Sequence, residues 1–255
     1  MSAPGSLPRW LRRAVIRVAV VAALVLLWRG AIAAWAIPQY LVPSPGSVAA
    51  AAASHPGVLL ARAGYTLGSA LTGLAVSAVF AGLLALAFTS SRRLAQAALP
   101  LVVAFRSAPV VAVAPLVMLV AGRGVGTSII VVTIVSFFPL YVNLLRGLSA
   151  PDRTAVELMM VTGATRWQQL CLLRIPYAMP FLFTGLRVAG GSAILGAMLS
   201  EWLTGAPGLG MLILASGDMR EIELLWAATI LSVVVALAVF WATSAGERAV
   251  LAWRR

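Results

Sequence analysis

Apolar positions run almost unbroken through six stretches of the chain, near 14–36, 67–88, 99–121, 127–145, 178–199 and 223–243. About 20 such residues in a row are long enough to cross a bilayer as a helix. The pattern therefore predicts an all-α, polytopic membrane protein with about six transmembrane helices. Between the fourth and fifth runs the rhythm changes. Glu157 to Pro176, ELMMVTGATRWQQLCLLRIP, alternates apolar and polar residues in two short amphipathic pieces that meet at Gly163.

The local signals in that insert are specific. Thr154-Ala155-Val156-Glu157 fits a T-x-x-E capping box, in which two side chains satisfy orphan amides reciprocally; Pro151 upstream also suits a first turn. Gly163 is a natural helix stop, because glycine accepts a left-handed backbone. Thr165-Arg166-Trp167-Gln168 is a second capping box, and Pro176 is expected to end the helix it starts. The expected product is helix, glycine elbow, helix, exposing Met159, Met160, Trp167 and Leu170. Adaptable methionine and anchoring tryptophan suit a surface where another protein docks.

Other connectors are short. IPQYLVPSPGS is proline-punctuated and should be extended or turning. SVAAAAAS is predicted to be a helix along the outer surface, and AGRGVG (121–126) a tight turn. The connector 201–223, EWLTGAPGLGMLILASGDMREIE, is apolar enough to dip back toward the membrane. No internal repeat is visible. The expected division is an N-terminal anchor helix with its outer connector (1–66) and a core (67–255) that contains the insert (150–176).

Composition sharpens this picture. Hydrophobic residues make up 62% and charged residues 10%, against roughly 25% charged in a soluble domain. The net charge of +12 comes from arginine alone among the basic residues. With the N-terminus inside, fourteen arginines fall on the inner side and five (Arg29, Arg62, Arg106, Arg123 and Arg220) outside or within the membrane. That asymmetry is the positive-inside bias. A nucleic-acid surface would be contiguous and solvated, so none is expected. The start RWLRRAVIR with the later AIAAWA has features of a cleavable signal. The apolar run continues past Trp28 and Arg29, so a retained anchor is expected. Cys171, alone of its type, cannot form an internal disulfide.

Polar residues inside the spans are candidates for pairing or for lining a solute path. These are Arg106 and Ser107 in the third span, Ser136 and Asn143 in the fourth, and Glu201 at the end of the fifth. An arginine at mid-span costs about 3 kcal/mol, which puts Arg106 near the inner end or in a wet cavity. Glu201 either pairs with an outer arginine and helps gate that side, or caps a helix end. In the fifth span Gly185, Ala189, Ala193 and Ala197 recur every four residues, a small face for close helix packing. No catalytic or metal cluster is expected: His55 has no acidic neighbours, and Glu157, Glu201 and Glu221 fall on different sides. No G-x-x-x-x-G-K-[ST] loop is present. An integral-membrane enzyme and a self-contained secondary transporter remain the rival classes.

On these residues the chain resembles the membrane subunits of binding-protein-dependent ABC importers. Their pattern E-A-A-x3-G-x9-I-x-L-P is matched by Glu157, Gly163, Leu173, Ile175 and Pro176 at the right spacing. LVPSPGSV, FRSAPVVAVAPLVML, FFPLYVN and LSEWLTGAPGLGMLI are similar to the nitrate/sulfonate/taurine branch, which includes permeases for pyrimidine vitamin precursors. The resemblance implies the type I importer permease fold in a bacterial inner membrane, with both termini cytoplasmic. It implies that Glu157, Leu158, Met159, Met160, Gly163, Ala164, Thr165, Arg166, Trp167 and Pro176 form a coupling segment. That segment would seat on a cytoplasmic ATPase that binds ATP and Mg, with no cofactor in this chain. A second copy of the chain, an extracytoplasmic solute-binding protein and membrane lipid are the other implied partners. The family's two alanines are Leu158 and Met159 here, so the groove receiving them should be wider than usual.

Overall fold

In this computed structural model the described residues are 9–90 and 110–252, and their regular structure is helical throughout. The helices are α1 (Arg9–Ala34), α2 (Pro45–Ser54), α3 (Pro56–Ser90), α4 (Val110–Ala121), α5 (Val125–Leu148), α6 (Arg153–Val161), α7 (Arg166–Gln169), α8 (Ile175–Thr204), α9 (Leu209–Asp218) and α10 (Ile222–Val250). A π-helical turn, Leu170–Arg174, joins α7 to α8 without a break. Four helical stretches are long and apolar enough to cross a membrane: Pro56–Thr89, Val125–Leu148, Arg166–Thr204 and Ile222–Val250. The first expected span is the 26-residue α1. Of the third, Val110–Ala121 is described; the remainder, with Arg106 and Ser107, lies outside the described residues.

The bundle is organised around α8. It packs along α5 and also touches α3, α4, α9 and α10. The small face predicted for it is its buried face: Ala189 and Ala197 are fully inaccessible, and Gly185 and Ala193 are buried with them. A Cβ on Gly185 would stand 3.3 Å from the Leu140 backbone of α5, which leaves no room for a larger residue without movement. Without a hydrophobic drive between helices in lipid, such close backbone approach is the main source of association.

Helices α3 and α5 approach even more closely, and they add polar bonds. The Ser77 hydroxyl donates to the Thr133 carbonyl at 3.0 Å, and the Thr133 hydroxyl donates back to the Gly73 carbonyl at 3.2 Å. Ser128 and Ser200 share a buried hydrogen bond of 3.0 Å between α5 and α8. Among the described residues the N-terminal helix touches α2 and stacks Trp28 on Trp226 of α10, with ring centroids 5.3 Å apart. Helix α2, started by Ser44 accepting from the Ser47 amide at 3.1 Å, lies against α10.

The two ends of α8 are about 45 Å apart at 1.5 Å per residue. One end carries the elbow of α6 and α7; the other carries α9. Helices α3, α5 and α10 run in one direction between these ends and α8 in the other.

Gly73 tests this packing. A Cβ there would lie 2.6 Å from Val132 and 2.9 Å from the Ile129 carbonyl, whereas Gly68, earlier in the same helix, has nothing within 4 Å. Gly73→Ala should destabilise the detergent-solubilised protein by roughly 1–3 kcal/mol through overpacking. Gly68→Ala should be neutral or mildly stabilising, since alanine is the better helix former. Equal melting temperatures for the two variants would contradict the α3–α5 contact.

Candidate functional site

The elbow is built almost entirely from local hydrogen bonds. Helix α6 ends at Thr162, and Gly163 follows with φ +79°. The Gly163 amide donates to the Met160 carbonyl at 3.0 Å and the Ala164 amide to Met159 at 2.9 Å. This is the paired Schellman pattern that glycine permits. The Thr162 hydroxyl donates to the Leu158 carbonyl at 3.0 Å. Immediately afterwards the predicted box at Thr165 is present: Thr165 Oγ1 accepts from the Gln168 amide at 3.2 Å, and Gln168 Oε1 accepts from the Thr165 amide at 2.8 Å. Buried Gln169 closes the structure from inside, its Nε2 donating to the Ala164 carbonyl at 3.1 Å.

The structure corrects two expectations. The box at Thr154 does not form. Helix α6 starts two residues earlier, with Asp152 as its N-cap and its carboxylate accepting from the Arg153 amide at 2.7 Å. An aspartate is at least as good a cap as threonine. Glu157 instead faces Arg153 across an exposed i,i+4 pair of 3.6 Å. Pro176 does not end the second helix either. The helix runs on from Arg166 to Thr204, 39 residues in all. In the π turn the Ile175 amide donates to Leu170, five residues back. That wider turn absorbs the missing Pro176 amide and eases its ring past the carbonyl four residues earlier.

The elbow is therefore rigidly continuous with the bundle's central helix. Arg174 reinforces the joint by donating from Nη1 to the Leu148 carbonyl, the last residue of α5, at 3.1 Å. Apolar side chains stand outward from this support: Leu158, Val161 and Trp167 are 64, 86 and 70% exposed. Met160 is exposed too, while Met159 and Leu170 are half-buried. Sequence reasoning missed Val161. Its place in the last turn before Gly163 was the available signal, because a Schellman turn leaves that edge uncovered.

At the opposite end stands Glu201, fully buried. Its Oε2 accepts from the Gly210 amide at 2.8 Å, and Oε1 has no hydrogen-bond partner. The next amide at this helix end, Leu209, donates to Thr66 Oγ1 of α3 at 2.9 Å. Helix α9 begins at Gly208, which has no side chain to cap it. Its first amides are thus satisfied by side chains from α8 and α3, and the carboxylate meets the positive end of the α9 dipole. Gly208 is needed for contact, since a Cβ there would collide with the Glu201 carboxyl group. This arrangement caps the start of α9, one of the two roles expected for Glu201.

The other polar candidates sit between helices. Ser136 is fully buried with no partner for its hydroxyl. Asn143 Nδ2 donates to the Pro139 carbonyl at 2.7 Å, with its Cβ against Gly185 at the α5–α8 seam. These residues and Glu201 do not converge on one site. Among the described residues no group of three or more His, Cys, Asp and Glu side chains could hold a metal ion.

Comparison with known proteins locates the chain. A family described as "Binding-protein-dependent transport system inner membrane component" matches residues 75–251. The riboflavin transport system permease protein RibX of Chloroflexus aurantiacus is 30% identical over 232 residues, 90% of this chain and 87% of that protein. The formylaminopyrimidine transport permease protein ThiX of Halalkalibacterium halodurans is 35% identical over 189 residues, 73% of this chain and 75% of that protein. The taurine transport system permease protein TauC of Escherichia coli is 23% identical over 154 residues, 60 and 56% of the two chains.

The Glu201–Gly208 contact can be checked by a double-mutant cycle. Glu201→Ala should cost roughly 1–3 kcal/mol by orphaning the buried Gly210 amide. Gly208→Ala should cost a similar amount by collision with the carboxylate. In the Glu201→Ala background the Gly208→Ala penalty should largely vanish, giving a coupling of roughly 1 kcal/mol or more in thermal melts. Strictly additive losses would contradict the contact.

Proposed function

The chain belongs to the family of binding-protein-dependent transport system inner membrane components and is an ABC transporter permease subunit; on that premise we propose that it imports a small solute by alternating access, driven through the elbow of α6 and α7. The single observation that carries this reading is the elbow itself. It is a rigid, doubly capped turn that presents Leu158, Val161 and Trp167 outward while continuous with the central helix. The partner is a cytoplasmic ATPase whose groove receives these side chains and which binds ATP and Mg; the chain contributes no catalytic group. Leu158 and Met159, in place of the family's alanines, fit a wider groove. The elbow and the N-terminus lie on the cytoplasmic side, where the arginine excess is.

A second copy of the chain completes the route. Although α8 is central, one face of it remains exposed: Thr184, Val188, Gly191 and Leu195, at helical spacing. Two such faces turned toward each other would enclose a path, with an extracytoplasmic binding protein delivering cargo at the α9 end. Closure of the ATPase pair would then rock each α8 through its elbow. Taking such an equilibrium from mostly inward to mostly outward requires about 5.5 kcal/mol of differential stabilisation.

The relatives that match over two thirds or more of this chain support one cargo class. Those with a named cargo carry riboflavin and a formylaminopyrimidine, both nitrogen heterocycles. Permeases named for aliphatic sulfonates and taurine match 58 and 60% of the chain. We therefore assign a heterocyclic vitamin or vitamin precursor rather than a sulfonate or nitrate.

Two measurements test this function. The wild-type protein should copurify with an ATPase, and Gly163→Val should keep that ATPase active while uptake in proteoliposomes falls. A β-branched residue at φ +79° costs roughly 1–3 kcal/mol, which corresponds to a loss of about 5- to 150-fold in a coupled equilibrium. Normal uptake by the variant would refute the elbow's role. In thermal-shift screening, the cognate binding protein should be stabilised by riboflavin or pyrimidine precursors; stabilisation by taurine alone would refute the cargo class.

A further inference from the structure

Among the described residues one ion pair joins two spanning helices. Arg187 Nη1 of α8 lies 3.1 Å from Glu247 Oε2 of α10. Arg187 Nη2 donates to Thr184 Oγ1 at 3.3 Å, and that hydroxyl donates to the Pro180 carbonyl at 2.9 Å. The depth of the pair follows from the packing around it. A Cβ on Gly147, beside the end of α5, would stand 2.8 Å from the Ala178 backbone, so Ala178 marks the elbow-side end of the bundle. Arg187 is nine residues further along α8, about 14 Å at 1.5 Å per residue. An arginine at that depth is costly, and ionisable residues inside spans gather where solutes pass. Packing does not require it. On either side of Arg187, α8 and α10 already meet closely: a Cβ on Gly190 would stand 3.0 Å from Val239, and one on Gly246 would stand 3.5 Å from Phe183. Apolar residues of similar volume often replace a buried ion pair with no loss of stability.

Residues three and four apart are neighbours on a helix. Arg187 therefore stands between Phe183 and Gly190, which meet α10, and Thr184 and Gly191, which belong to the exposed face of α8. The Arg187 and Glu247 side chains remain 30 and 21% exposed, so a solute passing that face reaches both. A guanidinium donates through five N–H groups, and a carboxylate only accepts. Side by side they present a donor next to an acceptor. A pyrimidine-type ring carries the complementary edge, either a carbonyl beside a ring N–H or a ring nitrogen beside an amino group. A sulfonate or nitrate ion offers acceptors alone, and the Glu247 carboxylate repels it.

We propose that Arg187 and Glu247 form a cargo-recognition site on the path, selective for an uncharged heterocycle that carries a donor and an acceptor at adjacent positions. The guanidinium donates to the ring's carbonyl or unprotonated nitrogen, and the carboxylate accepts from its N–H or amino group. Thr184 holds the guanidinium toward the exposed face. The inference rests on the path and the cargo class proposed above, and it adds the groups of this chain that select the cargo. Its readout is binding to the permease alone and does not involve the ATPase.

The test uses the full chain in a neutral detergent, in equilibrium dialysis against riboflavin, cytosine and ethanesulfonate. The wild type should bind riboflavin or cytosine saturably and should not bind ethanesulfonate. Arg187→Gln and Glu247→Gln should each weaken heterocycle binding by roughly tenfold or more. Leu237→Ala, on the exposed side of α10, should leave it unchanged. The double variant Arg187→Met/Glu247→Met should melt at or above the wild-type temperature yet lose heterocycle binding, a separation that a purely structural pair would not give. Should the double variant fail to fold, the two glutamine variants decide. Wild-type affinity in these variants, or no heterocycle binding by the wild type, would overturn the site. Ethanesulfonate bound as tightly as the heterocycles would overturn its selectivity. Binding as expected, but without ATP-driven uptake in proteoliposomes, would instead count against the proposed function.

Discussion

A proline inside a helix removes one backbone donor and sets its ring against the carbonyl four residues back, at a cost of about 3 kcal/mol. How Pro176 is accommodated decides the mechanical character of this molecule. Had the helix broken there, the elbow would hang from the bundle by a flexible hinge, and force applied at Trp167 would be lost in that hinge. The π turn at Leu170–Arg174 shifts the hydrogen-bond register once and lets the backbone continue to Thr204. Bond exchange of this kind needs no outside partner, which matters where no water is available to satisfy a freed carbonyl. The Arg174 bond to Leu148 then ties the same joint to α5.

Rigidity at one end is of use only if the remainder of α8 moves as a unit with its neighbours. The glycine and alanine face provides that at modest cost, because small side chains lose little entropy when packed. At the far end the solution is different. Glu201 is a carboxylate placed where an apolar residue would normally go, and it satisfies the start of α9 from a neighbouring helix. Gly208 makes room for it, and Thr66 completes the cap from α3. Three helices share one cluster of hydrogen bonds, so α9 cannot shift alone without uncovering amides in a dry environment. An unpaired buried amide costs roughly 1–3 kcal/mol, enough to keep the segment in register.

What could be read from the chain divides by the range of the interaction. The Gly163 turn and the Thr165–Gln168 box were legible, because every atom involved lies within five residues. The small face of α8 was legible as a period of four. The competition between Asp152 and Thr154 was not, since both are good caps and Pro151 precedes both; the helix takes Asp152. Pro176 was misread because its usual local rule, to stop a helix, is waived by a register shift that leaves no mark in residue type. The capping role of Glu201 needed Gly210, nine residues on, and Thr66, in a separate helix. Its burial was not visible as anything more than a charge at the end of an apolar run.

These two ends also explain why glycine is used so unevenly. Gly163 stands in open space and is required for its backbone angle; Gly208 and Gly73 have ordinary angles and are required for contact. The first kind sets the shape of the exposed elbow, the surface proposed above to meet a partner. The second kind lets buried helices and a buried carboxylate approach to distances that a single methyl group would forbid. The alternating access proposed above would benefit from this division. The outward face of the elbow is fixed by local bonds that a tilt of α8 would leave intact, and the interior is fitted so closely that its helices would shift together rather than one at a time.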